Sequence, residues 1–110
     1  MGKFVITNRS NEEYQFNLKA ANGEIILTSE GYSSKQGAVN GIESVKKHAP
    51  VDSNFDRKRS IDRKYYFNLV AGNGEVIGTS EMYETASGRD AGIDSVKSNA
   101  PGAEEEDKTV

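Results

Sequence analysis

Two stretches of this chain are nearly the same. Tyr14 to Tyr32 reads Y-Q-F-N-L-K-A-A-N-G-E-I-I-L-T-S-E-G-Y, and Tyr65 to Tyr83 reads Y-Y-F-N-L-V-A-G-N-G-E-V-I-G-T-S-E-M-Y. A shift of 51 residues aligns 2–50 with 53–101 without an insertion, and about half of the columns of 12–50 and 63–101 are identical. An internal repeat of this kind requires one local shape to be built twice, and whatever buries one copy's apolar face must serve the other.

Each copy reads as strand, strand, strand, helix. Lys3 to Thr7 is a short first strand, with the charged Asn54 to Ser60 as its counterpart. Charge there suits an edge, where it discourages unwanted pairing. Tyr14, Phe16, Leu18 and Ala20 alternate with polar residues, as do Tyr65, Phe67, Leu69 and Ala71, the period of a half-buried strand. Asn22-Gly23 and Asn73-Gly74 are hairpin turns. A two-residue turn sets Leu18 opposite Leu27 and Leu69 opposite Gly78, a poor pair. A three-residue loop with Gly23 in the left-handed region sets Leu18 opposite Ile26, Phe16 opposite Thr28 and Tyr14 opposite Glu30, and each pair recurs in the second copy. The second register is preferred. Ser34 and Thr85 stand at helix N-caps, Ala38, Ile42, Val45 and Ala49 follow at helical spacing, and Ala49-Pro50 and Ala100-Pro101 end the helices.

The fold class is therefore α+β: two tandem βββα repeats (1–50 and 51–101) forming one antiparallel sheet with two helices packed on it, related by a pseudo-twofold axis. Residues 1–101 are expected to fold as a single domain, because each half offers little to bury alone. Gly102 to Val110 lacks periodicity and is expected to be a disordered acidic tail. Its Glu104, Glu105, Glu106 and Asp107 against Lys108 account for the whole formal charge of −3, so no general basic surface is expected.

No apolar run approaches the roughly 20 residues of a membrane span. No apolar leader follows Met1, so a cytoplasmic monomer without membrane attachment is expected. Without cysteine there is no disulfide, thiolate nucleophile or cysteine zinc site. His48 is the sole histidine and has Asn99 as its counterpart, so a metal or general-base role lacks partners. No metal or cofactor is expected. The repeated acids Glu24/Glu75, Glu30/Glu81 and Glu43/Asp94 occupy ordinary solvated positions; Glu30 is expected to meet Tyr14. The paired helix glycines Gly37/Gly88 and Gly41/Gly92 imply close approach of a helix backbone to its neighbour.

The repeated N-L-x-A-x-N-G-E-x-I-x-T-S-E-x-Y, followed by G-I-x-S-V-K, resembles the YegP-like family of small bacterial tandem-repeat proteins, over about residues 2–101. The resemblance implies a single antiparallel sheet built from both repeats, strands exchanged between the halves, and a strand after each helix. Asn54–Ser60 fits that place after the first helix; the acidic tail is poor strand material after the second. No catalytic residue comes with the resemblance.

Two surfaces remain as candidates. Asn17 and Asn68 are identical in both copies although asparagine is depleted in strands. They are expected to share the sheet face away from the Phe16–Leu18 stripe with Ser29 and Ser80, joined in the second copy by Tyr66, as a binding face for an unidentified protein or small ligand. The alternative is weak single-stranded nucleic-acid binding by Arg57, Lys58, Arg59, Arg63 and Lys64 beside Tyr65 and Tyr66. Asp56 and Asp62 interrupt that cluster, and the first copy lacks it. A non-enzymatic binding module is the leading expectation, since no nucleophile–base pair, metal set or cofactor loop is visible.

Overall fold

The computed structural model describes residues 2–110. In chain order it contains β1 (Lys3–Asn8), β2 (Tyr14–Lys19), β3 (Ile25–Ser29), α1 (Lys35–His48), β4 (Phe55–Arg59), β5 (Tyr65–Val70), β6 (Val76–Thr79), α2 (Ala86–Asn99) and β7 (Glu104–Asp107). The strands form one sheet in the order β4-β5-β6-β3-β2-β1-β7. β3 pairs antiparallel with β6, joining the two repeats, and Thr28 lies opposite its own counterpart Thr79. The pseudo-twofold axis passes through that pair.

Both helices cover one face. α1 packs on β2 of its own repeat and on β5 and β6 of the other, while α2 packs on β5 and reaches β3. Ser34 and Thr85 accept hydrogen bonds from the Gly37 and Gly88 amides at 3.0 and 2.9 Å, as N-caps do. Beneath the helices lie Phe4, Phe16, Leu18 and Leu27 with Phe67, Leu69, Ile42 and Ile93, all buried. Phe4 meets Phe16 edge-on at 5.7 Å, and Phe55 meets Phe67 likewise at 5.5 Å. At Gly41 and Gly92 any β-carbon would run into the hydroxyls of Tyr32 and Tyr83, which accounts for glycine at both sites.

The hairpins differ from the expected register. Their loops are three-residue loops: Ala20 donates to the Glu24 carbonyl, Gly23 donates to the Ala20 carbonyl, and Gly23 and Gly74 have φ of 85° and 87°. Lys19 then faces Ile25, but Leu18 faces Leu27, so Ile26 is an extra residue on β3. A second extra residue follows, because Tyr14 next pairs with Tyr32. The expected pairs Leu18–Ile26, Phe16–Thr28 and Tyr14–Glu30 are therefore absent, and so are their counterparts in repeat 2, where Leu69 faces Gly78. The physical reason is burial. The first bulge lets two consecutive residues, Ile26 and Leu27, both enter the core, which strict alternation forbids.

Gly78 is no flaw in that register. A β-carbon there would lie 2.8 Å from Leu27 Cγ. Leu27 and Gly78 are symmetry counterparts on either side of the axis, and the space holds one leucine. One copy supplies the side chain and the other supplies the room.

The acidic tail is a correction too. Glu104–Asp107 is not disordered but forms β7, parallel to β1, so the sheet is mixed rather than wholly antiparallel. β7 occupies the place after α2 that β4 occupies after α1. The antiparallel position beside β2 is already filled by β1, so β7 adds outside it. Its carboxylates meet lysines of β1 and α1: Lys3–Glu106 at 2.8 Å, Lys35–Asp107 at 3.0 Å and Lys46–Glu105 at 3.6 Å.

Two outcomes follow from this packing. Gly78→Ala should destabilise the protein by about 1–3 kcal/mol through overpacking against Leu27. Combined with Leu27→Ala it should cost clearly less than the sum of the two single changes, checked by denaturant unfolding in a double-mutant cycle. The second outcome concerns β7. Hydrogen bonds from Thr109 and then Lys35 hold the Asp107 carboxyl down at about 2, and Lys3 lowers Glu106. Depressed carboxyl values stabilise docking above pH 4–5 and withdraw that contribution as pH falls towards 2. Amide protection of 104–107 should therefore fade across that window, and also in high salt, before the core strands lose theirs.

Candidate functional site

With both helices on one side, the other face of the sheet is open. β2 points Gln15, Asn17 and Lys19 to that face, and β5 points Tyr66, Asn68 and Val70 there. Asn17 Nδ2 donates to Thr28 Oγ1 at 2.9 Å, and Thr79 Oγ1 donates to Asn68 Oδ1 at 2.9 Å. A polar row, Asn17–Thr28–Thr79–Asn68, thus crosses the four central strands and spans the axis. Both asparagines sit where the sequence placed them, with a cross-strand threonine as partner.

Ser29 and Ser80 do not join them. Both are buried and lie on the helix side. Ser29 Oγ accepts the Phe16 amide at 2.9 Å and donates to the Glu30 carbonyl at 2.8 Å; Ser80 does the same with Phe67 and Glu81 at 3.0 and 2.8 Å. Each hydroxyl completes the ladder where the second bulge interrupts it. A buried amide left without an acceptor costs about 1–3 kcal/mol, which accounts for serine in both copies. The sequence signal was misread because strict alternation fails at a bulge.

The five cations of the central segment point different ways and are mostly engaged. Arg57 reaches Asp52 and Asp90, both at 3.4 Å, on the helix side. Lys58 pairs with Asp56 at 3.5 Å and Lys64 with Glu84 at 3.0 Å, the latter raising the Lys64 pKa. Arg59 lies over the Tyr65 ring at 4.5 Å and donates to the Arg63 carbonyl at 3.2 Å. Arg63 is an exposed loop residue at φ 67°. No basic groove is assembled from them. His48 is a brace: with the proton on Nδ1 it donates to the Ser44 carbonyl at 2.8 Å, and Nε2 accepts the Gly72 amide of the other repeat at 3.3 Å. Among the described residues no group of three metal-ligating side chains comes together.

What sequence reasoning missed is a groove of about 760 Å³ on the open face of repeat 2. Tyr66, Asn68, Val76 and Thr79 form its floor, with Ile61 and Asp62 of the β4–β5 loop, Arg59, Met82 and Glu30 around it. Met82 also lines a second concavity of about 530 Å³, with Glu24, Ile25, Glu81 and Tyr83. Burial, then Glu81 and Glu24, raises the Tyr83 pKa; Tyr32 is raised by burial, then by Glu30 and Glu75. The second bulge is what displaces Glu81 and Met82 out of the ladder towards these hollows.

The side chains that shape the groove differ in repeat 1. Ile61, Tyr66 and Met82 correspond to Ser10, Gln15 and Gly31. Ile61 is fully exposed and Met82 is half exposed, so neither serves the core. Tyr66, in β5, belongs to the binding face expected from the sequence; Ile61 and Met82 stand at loop positions where the two copies diverge.

Fold and face together define a duplicated sheet protein with one side sealed by helices and one side open. The chain belongs to the family described as a domain of unknown function (DUF1508), whose model matches residues 10–56 and 61–107. Each match runs from β2 or β5 through the helix into the following strand, so the matched unit is ββαβ, the expected βββα order of the chain read one strand later. Its last strand crosses over: β4 pairs beside β5, and β7 lies on the repeat 1 side. The strand exchange implied by the YegP resemblance is thus present. The UPF0339 protein YegP of Escherichia coli is 44% identical over 108 residues, covering 98% of both chains. A UPF0339 protein of Stutzerimonas stutzeri is 53% identical over 102 residues, covering 93% of this chain and 92% of its own. The solution NMR structure of the E. coli protein superimposes with a TM-score of 0.94, covering 98% of this chain and 93% of that one. That of a Shewanella oneidensis UPF0339 protein, also 44% identical, gives 0.92 with coverage of 98% and 92%. These names state no reaction, and among the described residues no helix is long and apolar enough to cross a membrane.

If Ser29 and Ser80 are structural, Ser29→Ala and Ser80→Ala should each cost about 1–3 kcal/mol in urea unfolding. Asn17→Thr and Asn68→Thr, on the open face, should cost under about 1 kcal/mol.

Proposed function

We propose that this protein is a non-enzymatic binding module whose site is the open-face groove of repeat 2. One observation carries it. Three positions outside the core that repeat 1 fills with Ser10, Gln15 and Gly31 hold the exposed Ile61 and Met82 and the partly exposed Tyr66 in repeat 2, on the same backbone. The fold does not need these apolar groups, since the other copy stands without them. They gather around Asn68 and Thr79, so a mostly apolar hollow carries a few fixed polar groups, the usual make-up of a ligand site. Its size falls within the roughly 300–1,000 Å³ typical of such sites.

The paired copies supply an internal control. Indole, a compact apolar probe with one donor, should shift the amides of Tyr66, Asn68, Thr79 and Met82 in a 15N-labelled sample and leave Gln15, Asn17 and Thr28 unmoved. The variant Ile61→Ser, Tyr66→Gln, Met82→Gly gives repeat 2 the side chains of repeat 1. It should unfold within about 1–2 kcal/mol of the parent and lose the indole response. Equal shifts on both halves, or a response that survives the triple change, would remove the groove as the site.

A further inference from the structure

Among the described residues the carboxylates divide into those that hold a cation and those that do not, and the ones around the groove belong to the second set, as do Glu12, Glu43, Glu75, Asp94 and Glu104 elsewhere. Asp52, Asp90, Glu84, Glu105, Glu106 and Asp107 each hold a lysine or arginine. Glu30 and Asp62 at the groove, and Glu24 and Glu81 at the neighbouring concavity, form no ion pair among the described residues. Arg59, the one cation among the groove's lining residues, has its guanidinium committed to the Tyr65 ring and the Arg63 carbonyl. Four carboxylates without an ion pair therefore border two hollows, the first of them mostly apolar, that share Met82 as a common wall; Asp62 among them accepts the Ser60 hydroxyl and lies near Lys64.

That field repels a polyanion and favours a cation. The hollows demand apolar surface as well, so a bare inorganic cation leaves them unfilled. We propose that this surface binds an extended basic peptide segment. An aliphatic or aromatic side chain seats among Ile61, Tyr66, Val76 and Met82, and flanking lysine or arginine groups lie beside Glu30 and Asp62 in one hollow and Glu24 and Glu81 in the next. An extended chain, whose alternate side chains point the same way, is long enough to engage both hollows across Met82; a compact amine engages one. Apolar seating supplies affinity, and the charges select the partner.

This assignment rests on the groove being the binding site, and the test separates the two. The 15N-labelled full chain is titrated with the capped peptide acetyl-Lys-Leu-Lys-Phe-Lys-amide and with its glutamate counterpart acetyl-Glu-Leu-Glu-Phe-Glu-amide. The lysine peptide should bind at least about tenfold more tightly at low ionic strength, with the gap closing several-fold at about 0.5 M salt as the charges are screened. Its shifts should include Glu24, Glu30, Asp62 and Glu81. The double variant Glu24→Gln, Glu81→Gln, confined to the second concavity, removes two exposed pairs and should weaken the lysine peptide roughly fivefold to tenfold, while indole still binds. Equal affinity for the two peptides with indole binding intact would overturn the basic-peptide assignment and leave the groove standing. Spermidine binding as tightly as the peptide, or an oligothymidylate shifting the groove residues, would overturn it as well. Failure of indole and peptides together would remove both.

Discussion

The pairing of β3 with β6 is the contact on which the rest depends. It places Thr28 against Thr79, joins a three-stranded half to a four-stranded half in one sheet and creates the axis about which the helices cross from one repeat to the other. Sequence identity at an axis is a steric problem, because equal side chains meet themselves there. The chain resolves it by breaking its own symmetry: Leu27 fills the space that Gly78 leaves. Close-packed interiors leave no room for two leucines at such a point and no tolerance for two glycines.

A second asymmetry arises at the outer edges. The repeat unit ends in a strand that crosses to the far side, so β4 lies beside β5. The matching site for β7 is taken by β1, which precedes the first unit and carries Phe4 and Ile6 into the core. β7 is left with a parallel position and nearly no apolar residues. Lysines from β1 and α1 compensate its carboxylates, so an acidic segment serves as an edge strand. Charge of this kind also deters pairing with another molecule's edge.

Function, in the reading proposed here, grows from a third asymmetry on a face that the fold leaves free. The polar row through Asn17 and Asn68 is nearly symmetric and internally satisfied. Of the apolar groups outside the core, Ile25 and Val76 are matched between the halves, but Ile61, Tyr66 and Met82 stand over one half alone. Duplication supplies two scaffolds of one shape, and the second is the one with surface chemistry beyond its structural needs.

Much of this was determined by local sequence. The repeat, the strand periods, the Asn-Gly loops with left-handed Gly23 and Gly74, the N-caps and the prolines all act through short-range sterics and hydrogen bonding, and each is present in the structure. Asn17 and Asn68 fell on the expected face for the same reason. Tertiary structure decided the rest. The bulge at Ile26 arises because the core accepts two adjacent residues, which strict alternation does not encode, and a second bulge follows before Tyr32. They moved Ser29 and Ser80 to the buried face and set Glu81 and Met82 outward. The order of the strands, and β1's hold on the place beside β2, turned an apparently disordered tail into β7. Ion pairs such as Arg57 with Asp90 and Lys64 with Glu84 dispersed a basic run that looked continuous along the chain. Each depends on which distant segments share a surface, and that is fixed only when the two halves close on each other across Thr28 and Thr79.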